Sequence, residues 1–331
     1  MNDHRGVLVL ADMQRQGLAI VAKELLGVGR KLADDLGEEL SALLIGSGLQ
    51  TASQEAIAYG ADKVYMADSP DMADFNSDTY TAVATMLCQK MAPSVFLLGH
   101  TSLGRDISPR VAARLGASLS TDCIKLEIDP SSRRLVQTRP VYGGNAMAVL
   151  VAKAYPQMAT LRPRSVSPSA PDTYRKGQVI PLEVGSMETR SKVIDRVKAT
   201  VEGIKLEEAK VIVAGGAGIT GAHDFQLLRE LADVLGGTVG ATRQPCEEGW
   251  VSPSLQIGQT GKIVSPDLYI AVAISGAPQH MAGCLGSKHI VAVNKDPQAN
   301  IFRMADFSIV ADYREALPAL IEKCRELKSA S

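Results

Sequence analysis

The segment Val211–Gly221 reads VIVAGGAGITG and decides the fold of the second half of the chain. Its first three residues are apolar and β-branched, which predicts a buried strand. The glycines at positions 216, 218 and 221 then follow the G-x-G-x-x-G spacing. Small residues at this spacing let the backbone approach a diphosphate at the start of a helix. The segment therefore predicts either a nucleotide-binding strand–turn–helix unit or a tight glycine turn without a ligand.

Strands and helices alternate on both sides of this segment. The apolar residues of 225–235 recur at helical spacing, and 238–241 is a short β-rich run. Further strands are predicted at 7–10, 42–45, 63–66, 95–98, 268–274, 290–293 and 308–310, and further helices at 19–36, 55–59, 80–91, near 278–285 and at 315–327. Short strands between helices predict right-handed crossovers. We therefore predict an α/β protein with two domains that have parallel, Rossmann-like sheets.

The length of 331 residues also favours two domains, at roughly 150 residues per domain. From about 119 to 161 the pattern changes to short β segments, and five prolines lie between 155 and 185. This proline-rich stretch predicts a surface excursion or strap between elements. The predicted domains are residues 1–198, which include the strap, and residues 199–331, joined near 190–205.

The composition excludes several classes of protein. With 35 Lys and Arg against 36 Asp and Glu, the net charge of −1 argues against a nucleic-acid-binding protein. The five cysteines are scattered and form no Cys-x-x-Cys motif, which argues against a disulfide framework or a metal site. The first residues run directly into an apolar strand, and no stretch predicts a membrane span. We expect a soluble, cytoplasmic protein that does not insert into membranes.

The acidic residue of an NAD site is missing about 20 residues after the glycine turn. The next predicted strand instead ends at Thr242 and Arg243. Taken alone, the turn is compatible with an NADP-dependent oxidoreductase in which Arg243 binds the 2′-phosphate. A third interpretation is a nucleotide-binding scaffold that has no redox activity.

Two further loops carry most of the polar groups near the predicted ends of these strands. Residues 256–261 read QIGQTG, and residues 275–280 read SGAPQH. A Ser-Gly turn with proline in the first helical turn leaves backbone N–H groups available to an anion. His280 lies on that first turn, where the carboxyl ends of parallel strands form ligand crevices in α/β folds. We therefore predict a ligand site at these two loops.

These motifs resemble the signature of the electron transfer flavoprotein alpha subunit family. The matching stretches are Gly240-Ala241-Thr242-Arg243, Gln256-Ile257-Gly258-Gln259-Thr260-Gly261-Lys262, Ile274-Ser275-Gly276-Ala277-Pro278-Gln279-His280 and Val293-Asn294-Lys295-Asp296, with Arg139-Pro140-Val141-Tyr142-Gly143-Gly144 and Pro156-Gln157-Met158-Ala159-Thr160 in the first half. The resemblance spans nearly the whole chain. It implies that the C-terminal domain binds FAD and that the N-terminal domain forms an interface with a beta subunit.

The resemblance also implies which residues form the FAD site. They are Thr242, Arg243, Ile257, Gly258, Gln259, Thr260, Gly261, Ser275, Gly276, Ala277, Pro278, Gln279, His280, Asn294 and Asp312. Arg243 is expected beside the isoalloxazine, where its charge favours the reduced, anionic ring. Gln259 and Thr260 are expected at the ring edge and ribityl chain, and His280 at the pyrimidine end of the ring.

The remaining residues are expected to hold the other half of the dinucleotide. Ser275 and the turn after it are assigned to the diphosphate, and Asn294 and Asp312 to the adenosine. The sequence departs from the family where Ala217 replaces the arginine that is usual in the first glycine turn. Thr242, in contrast, keeps the hydroxyl of the usual serine. We expect FAD to be retained, with an altered affinity or potential.

The implied function is electron transfer, with no catalytic residues of the chain's own. The chain is expected to form a heterodimer with a beta subunit. It would pass electrons from flavin dehydrogenases, such as acyl-CoA dehydrogenases, to a quinone reductase or a ferredoxin or flavodoxin acceptor. One alternative is the electron-bifurcating type, in which the beta subunit carries a second FAD and oxidises NADH. The alternative from another class is the NADP-dependent oxidoreductase.

Overall fold

The computed structural model describes residues 4–14, 17–144, 146–185, 189–191, 193–195 and 204–329. Contacts group the chain into two compact units: residues 1–141 with 147–197, and residues 142–146 with 198–331. The predicted boundary between residues 198 and 199 lies outside the described residues. Both units are α/β with parallel sheets, which confirms the predicted fold class. Among the described helices, none combines the length and apolarity that crossing a bilayer requires.

The first unit is built around a seven-stranded parallel sheet. The strands of the whole unit are β1 (Val7–Leu10), β2 (Met13–Gln14), β3 (Gly17–Leu18), β4 (Leu40–Gly46), β5 (Lys63–Asp68), β6 (Val95–Gly99), β7 (Leu119–Cys123), β8 (Lys125–Asp129), β9 (Arg134–Val141), β10 (Ala146–Val151), β11 (Gln157–Leu161) and β12 (Gln178–Pro181). Its helices are α1 (Ile20–Leu36), α2 (Gln50–Ala58), α3 (Ser77–Met91) and α4 (Ser102–Leu115). The large sheet has the order β12-β5-β4-β1-β6-β11-β7. Its central strands are apolar throughout, as β1 shows with four buried residues, because helices cover both faces of such a sheet.

The prediction that residues 155–185 form a surface excursion or strap is wrong for residues 157–161, which form a buried strand. Strand β11 lies inside the large sheet, paired with β6 on one side and β7 on the other, and all five of its residues are buried. Strand β12 pairs with β5 at the sheet edge. The prolines are compatible with both strands because Pro156 precedes β11 and Pro181 ends an edge strand, where a missing N–H costs no ladder hydrogen bond.

A smaller sheet in the first unit has the order β10-β9-β8, with β8 and β9 antiparallel. Strand β10 is the edge of this sheet, and its apolar side chains are exposed: Met147 by 54%, Val149 by 64% and Val151 by 51%. Strand edges with exposed apolar side chains are prone to pair with another chain. This strand is therefore the most prominent exposed apolar segment among the described residues of the unit.

The second unit contains a five-stranded parallel sheet. Its elements are β13 (Val211–Gly215), α5 (Phe225–Leu235), β14 (Thr238–Ala241), α6 (Arg243–Glu247), β15 (Leu268–Val272), α7 (Pro278–Met281), β16 (His289–Asn294), β17 (Phe307–Val310) and α8 (Tyr313–Ser329). The strand order is β14-β13-β15-β16-β17. The chain runs outward from β13 to β14 and then returns to the other side of β13 as β15. The strand order therefore switches between β13 and β15, which is where α/β sheets open a crevice for ligands.

The helix predicted near 278–285 is shorter than expected and ends at Met281. After Met281 the chain continues in turns. Gly283 packs directly against the backbone of Gly258, where a Cβ atom would come within 2.3 Å of the Gly258 nitrogen. The Gly283 carbonyl also accepts a hydrogen bond of 2.8 Å from the Val264 N–H. This contact ties the loop of residues 256–261 to the segment after β15.

The placement of β11 can be tested by unfolding. Leu161 is fully buried, so Leu161→Ala should lower the free energy of unfolding by about 2–5 kcal/mol through lost burial and the cavity left behind. Tyr174, from the same proline-rich segment, is 92% exposed, and Tyr174→Ala should change it by less than about 0.5 kcal/mol. Urea titrations of the two variants measure the difference. Equal, small effects would show that 155–185 is a surface strap after all.

Candidate functional site

Two adjoining cavities open at the carboxyl end of the sheet in the second unit. The larger, of about 400 Å³, is lined by Ala217, Thr242, Arg243, Gln244, Gln256, Ile257, Gly258, Gln259, Thr260, Ile274, Ser275, Ala277, Gln279 and His280. The smaller, of about 250 Å³, is lined by Ala217, Gly218, Thr220, Ala273, Ser275, Val293, Asn294, Lys295, Asp296, Ala299, Ala311, Asp312, Tyr313 and Arg314. Ala217 and Ser275 line both. The cavities thus form one elongated crevice over β13, β15 and β16.

Most of the predicted site residues line this crevice, including Asn294 and Asp312 in its smaller part. Three do not line either cavity in the described structure. Gly261 packs over the Gln256 backbone, Gly276 lies against Ile301, and Pro278 is an exposed first residue of α7. These three residues lie in the loops beside the cavities, and their contact with the ligand stays a prediction.

Several residues of the crevice were missed by the sequence reasoning. Gln244 and Gln256 line the larger cavity, and Lys295, Tyr313 and Arg314 line the smaller one. Gln256 and Lys295 belong to the motifs 256–262 and 293–296 that carry the family resemblance, so their position in these motifs was the available signal. Tyr313 and Arg314 follow Asp312 directly, but nothing in their spacing connects them to a glycine turn over 90 residues earlier.

Backbone hydrogen bonds hold the loop of residues 256–261 in place. The Ile257 N–H donates to the Ala241 carbonyl at 2.8 Å, and the Gln259 N–H donates to the Gln279 carbonyl at 2.8 Å. The Gln256 side-chain amide donates to the Thr260 hydroxyl at 3.0 Å. The side chains of Gln259 and Thr260 are exposed on the cavity wall. The loop therefore presents an amide and a hydroxyl on a fixed backbone.

The Ser-Gly turn after β15 approaches the backbone near Ile301 closely. Gly276 has a φ of +86°, and a Cβ atom there would lie 2.3 Å from the Ile301 nitrogen, so only glycine fits. Within the described part of the chain, the backbone N–H groups of Ser275, Gly276 and Ala277 make no hydrogen bond to protein atoms. Unused N–H donors beside a cavity are suited to a phosphate or another anion.

Arg243 begins helix α6 at the rim of the larger cavity. Its Nε atom lies 2.6 Å from a carboxylate oxygen of Glu247, and 69% of its side chain is exposed. An exposed ion pair between residues four apart contributes little to stability. The Arg243 guanidinium can therefore exchange this partner for a ligand at small cost.

His280 is buried in the wall of the larger cavity, and both of its ring nitrogens have partners. Nδ1 lies 3.0 Å from the Ile257 carbonyl oxygen, which can only accept, so Nδ1 carries the proton. Nε2 lies 2.9 Å from the Tyr269 hydroxyl and accepts its hydrogen bond. Burial lowers the pKa of His280 to about 4. In this arrangement both ring nitrogens of His280 face protein atoms, and its expected place at the pyrimidine end of the ring stays a prediction.

In the smaller cavity, Asn294 and Asp312 are held by local hydrogen bonds. The Asn294 side-chain amide donates to the Ile274 carbonyl at 2.9 Å. The Asp312 carboxylate accepts a hydrogen bond of 2.9 Å from the backbone N–H of Arg314. Beside them, the Asp224 carboxylate accepts hydrogen bonds from the hydroxyls of Thr220 and Tyr313. These hydrogen bonds lower the pKa of Asp224 to about 2. Together they join the glycine turn to the start of α8.

No group of three or more His, Cys, Asp or Glu side chains in the described ranges is arranged to hold a metal ion. Cys284, beneath the larger cavity, is buried, and burial raises the pKa of its thiol to about 12. The crevice has the polar lining to bind and orient a ligand.

The fold and the paired cavities define an α/β dinucleotide-binding unit. Residues 7–202 match the electron transfer flavoprotein domain, and residues 205–285 match the electron transfer flavoprotein FAD-binding domain. The chain therefore belongs to the electron transfer flavoprotein alpha subunit family, and its cofactor is FAD.

Relatives of the chain agree with this assignment over nearly its whole length. It is 43% identical over 331 residues to an electron transfer flavoprotein subunit alpha from Thermoanaerobacterium thermosaccharolyticum, covering 99% of this chain and 100% of that protein. It is 42% identical over 321 residues to the protein of that name from Bacillus subtilis, covering 97% and 98%. It is 40% identical over 328 residues to protein FixB from Azotobacter vinelandii, covering 97% and 91%.

The protonation state of His280 is a direct test of this geometry. The unfolded chain takes up the imidazole proton near pH 6.5, whereas the folded chain does so only near 4. Folded stability is therefore lost as the pH falls through that interval, because the unfolded state binds the proton first. In histidine-selective nitrogen-15 NMR, His280 should remain neutral with the proton on Nδ1 from about pH 5 to 8.

The His280→Asn variant assigns the signals by removing them from the spectrum. A doubly protonated His280 ring at pH 7, or a proton on Nε2 in place of Nδ1, would contradict the hydrogen-bond arrangement around Ile257 and Tyr269.

Proposed function

We propose that this chain is the FAD-binding alpha subunit of a heterodimeric electron transfer flavoprotein of the plain carrier type. It accepts electrons from flavin dehydrogenases, such as acyl-CoA dehydrogenases, and passes them to a quinone reductase or a ferredoxin or flavodoxin acceptor. The observation that carries this proposal is the elongated crevice, which is lined by amides, hydroxyls and two exposed arginines, Arg243 and Arg314.

The residues of the crevice fit the parts of FAD in order. The larger cavity offers Arg243, Gln259 and Thr260 to the ring and ribityl chain. The unused N–H groups of the Ser275 turn lie where the two cavities meet and suit the diphosphate. The smaller cavity offers Asn294 and the Asp312 carboxylate to the adenosine. This order explains why no acid follows the second strand of the unit, since the carboxylate is supplied after β17.

FAD supplies the electron-transfer chemistry when it is bound, and the protein tunes its potential. Because His280 is neutral, the fixed positive charge beside the ring comes from Arg243. Gln259 and Thr260 orient hydrogen bonds on a loop held by Ile257, whose carbonyl accepts from His280. In this arrangement His280 acts as the support of the loop.

The exposed apolar strand β10 supports a docking role for the first unit. Its edge position and the exposure of Met147, Val149 and Val151 suit a surface covered by another chain. We assign this surface to the beta subunit. Because the ring lies in an open crevice under this proposal, we expect the isolated alpha chain to bind FAD more weakly than the heterodimer does.

The role of Arg243 is tested by the flavin potential. Arg243→Ala removes a positive charge that favours the reduced ring, so the midpoint potential should fall by on the order of tens of millivolts. Arg325→Ala is the matched control, because Arg325 is exposed by 57% and pairs with Glu230 at 2.6 Å, as Arg243 does with Glu247. Spectroelectrochemical titration of both heterodimers gives the comparison. Equal potentials in the two variants would refute the assignment of Arg243.

The flavin content of the purified heterodimer tests the proposed carrier type. The plain carrier holds one FAD in each alpha–beta pair, and extraction followed by chromatography should return that ratio with AMP as a second nucleotide. Two FAD per pair, with oxidation of NADH, would instead assign the chain to the bifurcating type. A colourless heterodimer that binds NADPH tightly would contradict the electron-carrier proposal altogether.

A further inference from the structure

The glycine turn of the second unit has no cation of its own. Residues 215–221 read GGAGITG and contain no basic side chain. The charged side chains in the wall of the smaller cavity are Lys295 and Arg314 against Asp296 and Asp312, which balance one another. A diphosphate adds negative charge to this balanced wall, so a cation that faces the diphosphate favours its binding beyond what the backbone N–H groups of the Ser275 turn contribute.

Arg314 is anchored beside the glycine turn. One nitrogen of its guanidinium, Nη2, donates to the Thr220 hydroxyl, which belongs to the turn, and to Asp224 at 3.1 Å. The Thr220 hydroxyl in turn donates to the same Asp224 carboxylate at 2.6 Å. Through this network, a residue on α8 is held next to a turn that lies more than 90 residues earlier in the chain.

The anchored guanidinium keeps most of its donors available. Both hydrogen bonds use Nη2, so within the described structure the Nε and Nη1 donors of Arg314 have no protein partner. The side chain is 53% exposed and lines the smaller cavity. A guanidinium with one nitrogen fixed and the others free presents paired donors that match two oxygens of a phosphate.

Lys295 is the weaker candidate for the same task. It is an exposed residue directly after β16, and its ammonium is a point charge on a flexible stem. Arg314 is held in one position by Thr220 and Asp224, so it loses less conformational freedom when it binds an anion.

We propose that Arg314 is the phosphate-binding cation of this chain and donates to the diphosphate of FAD beside Ala217, where the glycine turn has no basic side chain. The inference rests on the proposed FAD site and adds a residue on α8 to it. Asp224 acts as the positioning residue that keeps the guanidinium at the turn.

The experiment compares two ligands on the heterodimer after its flavin has been removed. FAD carries the diphosphate, whereas riboflavin has the same ring and ribityl chain without it. Arg314→Gln should weaken FAD binding by about 10- to 100-fold, the range expected for hydrogen bonds to a charged group. Riboflavin binding should stay within about twofold of the wild type. Quenching of flavin fluorescence gives both dissociation constants, and the loss for FAD should shrink at high salt.

Two further variants serve as controls. Arg303→Gln removes an exposed arginine of the same unit that lines neither cavity, and it should leave both affinities unchanged. Arg314→Lys keeps the charge next to Asp224 without the paired donors, so it preserves the fold and should give an intermediate loss for FAD. This variant keeps the proposal testable if Arg314→Gln does not fold.

Equal losses for FAD and riboflavin in Arg314→Gln would overturn the proposal, because they would indicate a purely structural role. An unchanged FAD affinity in both Arg314 variants would overturn it as well. A wild-type heterodimer that does not bind FAD would contradict the proposed function itself, which separates the two failures.

Discussion

The crevice of the second unit depends on one close backbone approach. After β13, the Gly216 N–H donates to the Val272 carbonyl at 2.9 Å, and the Gly218 N–H donates to the Ala273 carbonyl at 3.2 Å. A Cβ atom at Gly216 would lie 2.3 Å from the Ala273 oxygen. Only glycine allows the turn to lie against the end of β15. This contact sets the floor of both cavities at the point where the strand order switches.

The charges of the site follow from burial. His280 is enclosed and has partners for both ring nitrogens, so it stays neutral and supports the loop of residues 256–261. The cations of the crevice, Arg243, Lys295 and Arg314, are all exposed on its walls. Buried His280 supports the backbone as a neutral ring, and the exposed arginines and lysine supply the positive charge, because an unpaired charge is costly away from water.

The bounds of several helices and strands could be predicted from the sequence, because local periodicity determines them. The helix Phe225–Leu235 and the strand Thr238–Ala241 have the predicted bounds, since apolar spacing and a following glycine set both ends. The burial of β11 could not be predicted in this way. Its pairing with β6 and β7 is a long-range contact, and its flanking prolines are equally typical of a loop.

Long-range packing, which the sequence does not reveal, also explains which site residues could not be predicted. Motif spacing brings the loops at 256–261 and 275–280 to one edge, but it does not give the rotamer of a side chain. Whether His280 faces a ligand or Tyr269 depends on packing beneath the cavity. Arg314 was missed because its link to Thr220 joins residues that are distant in sequence.

The central claim is that FAD lies along the crevice of the second unit in one orientation. Electron density for the dinucleotide in crystals of the FAD-loaded heterodimer tests this most directly. We predict the ring in the larger cavity beside Arg243 and the adenosine in the smaller cavity beside Asn294 and Asp312. A dinucleotide bound in the reverse orientation, or outside this crevice, would contradict it.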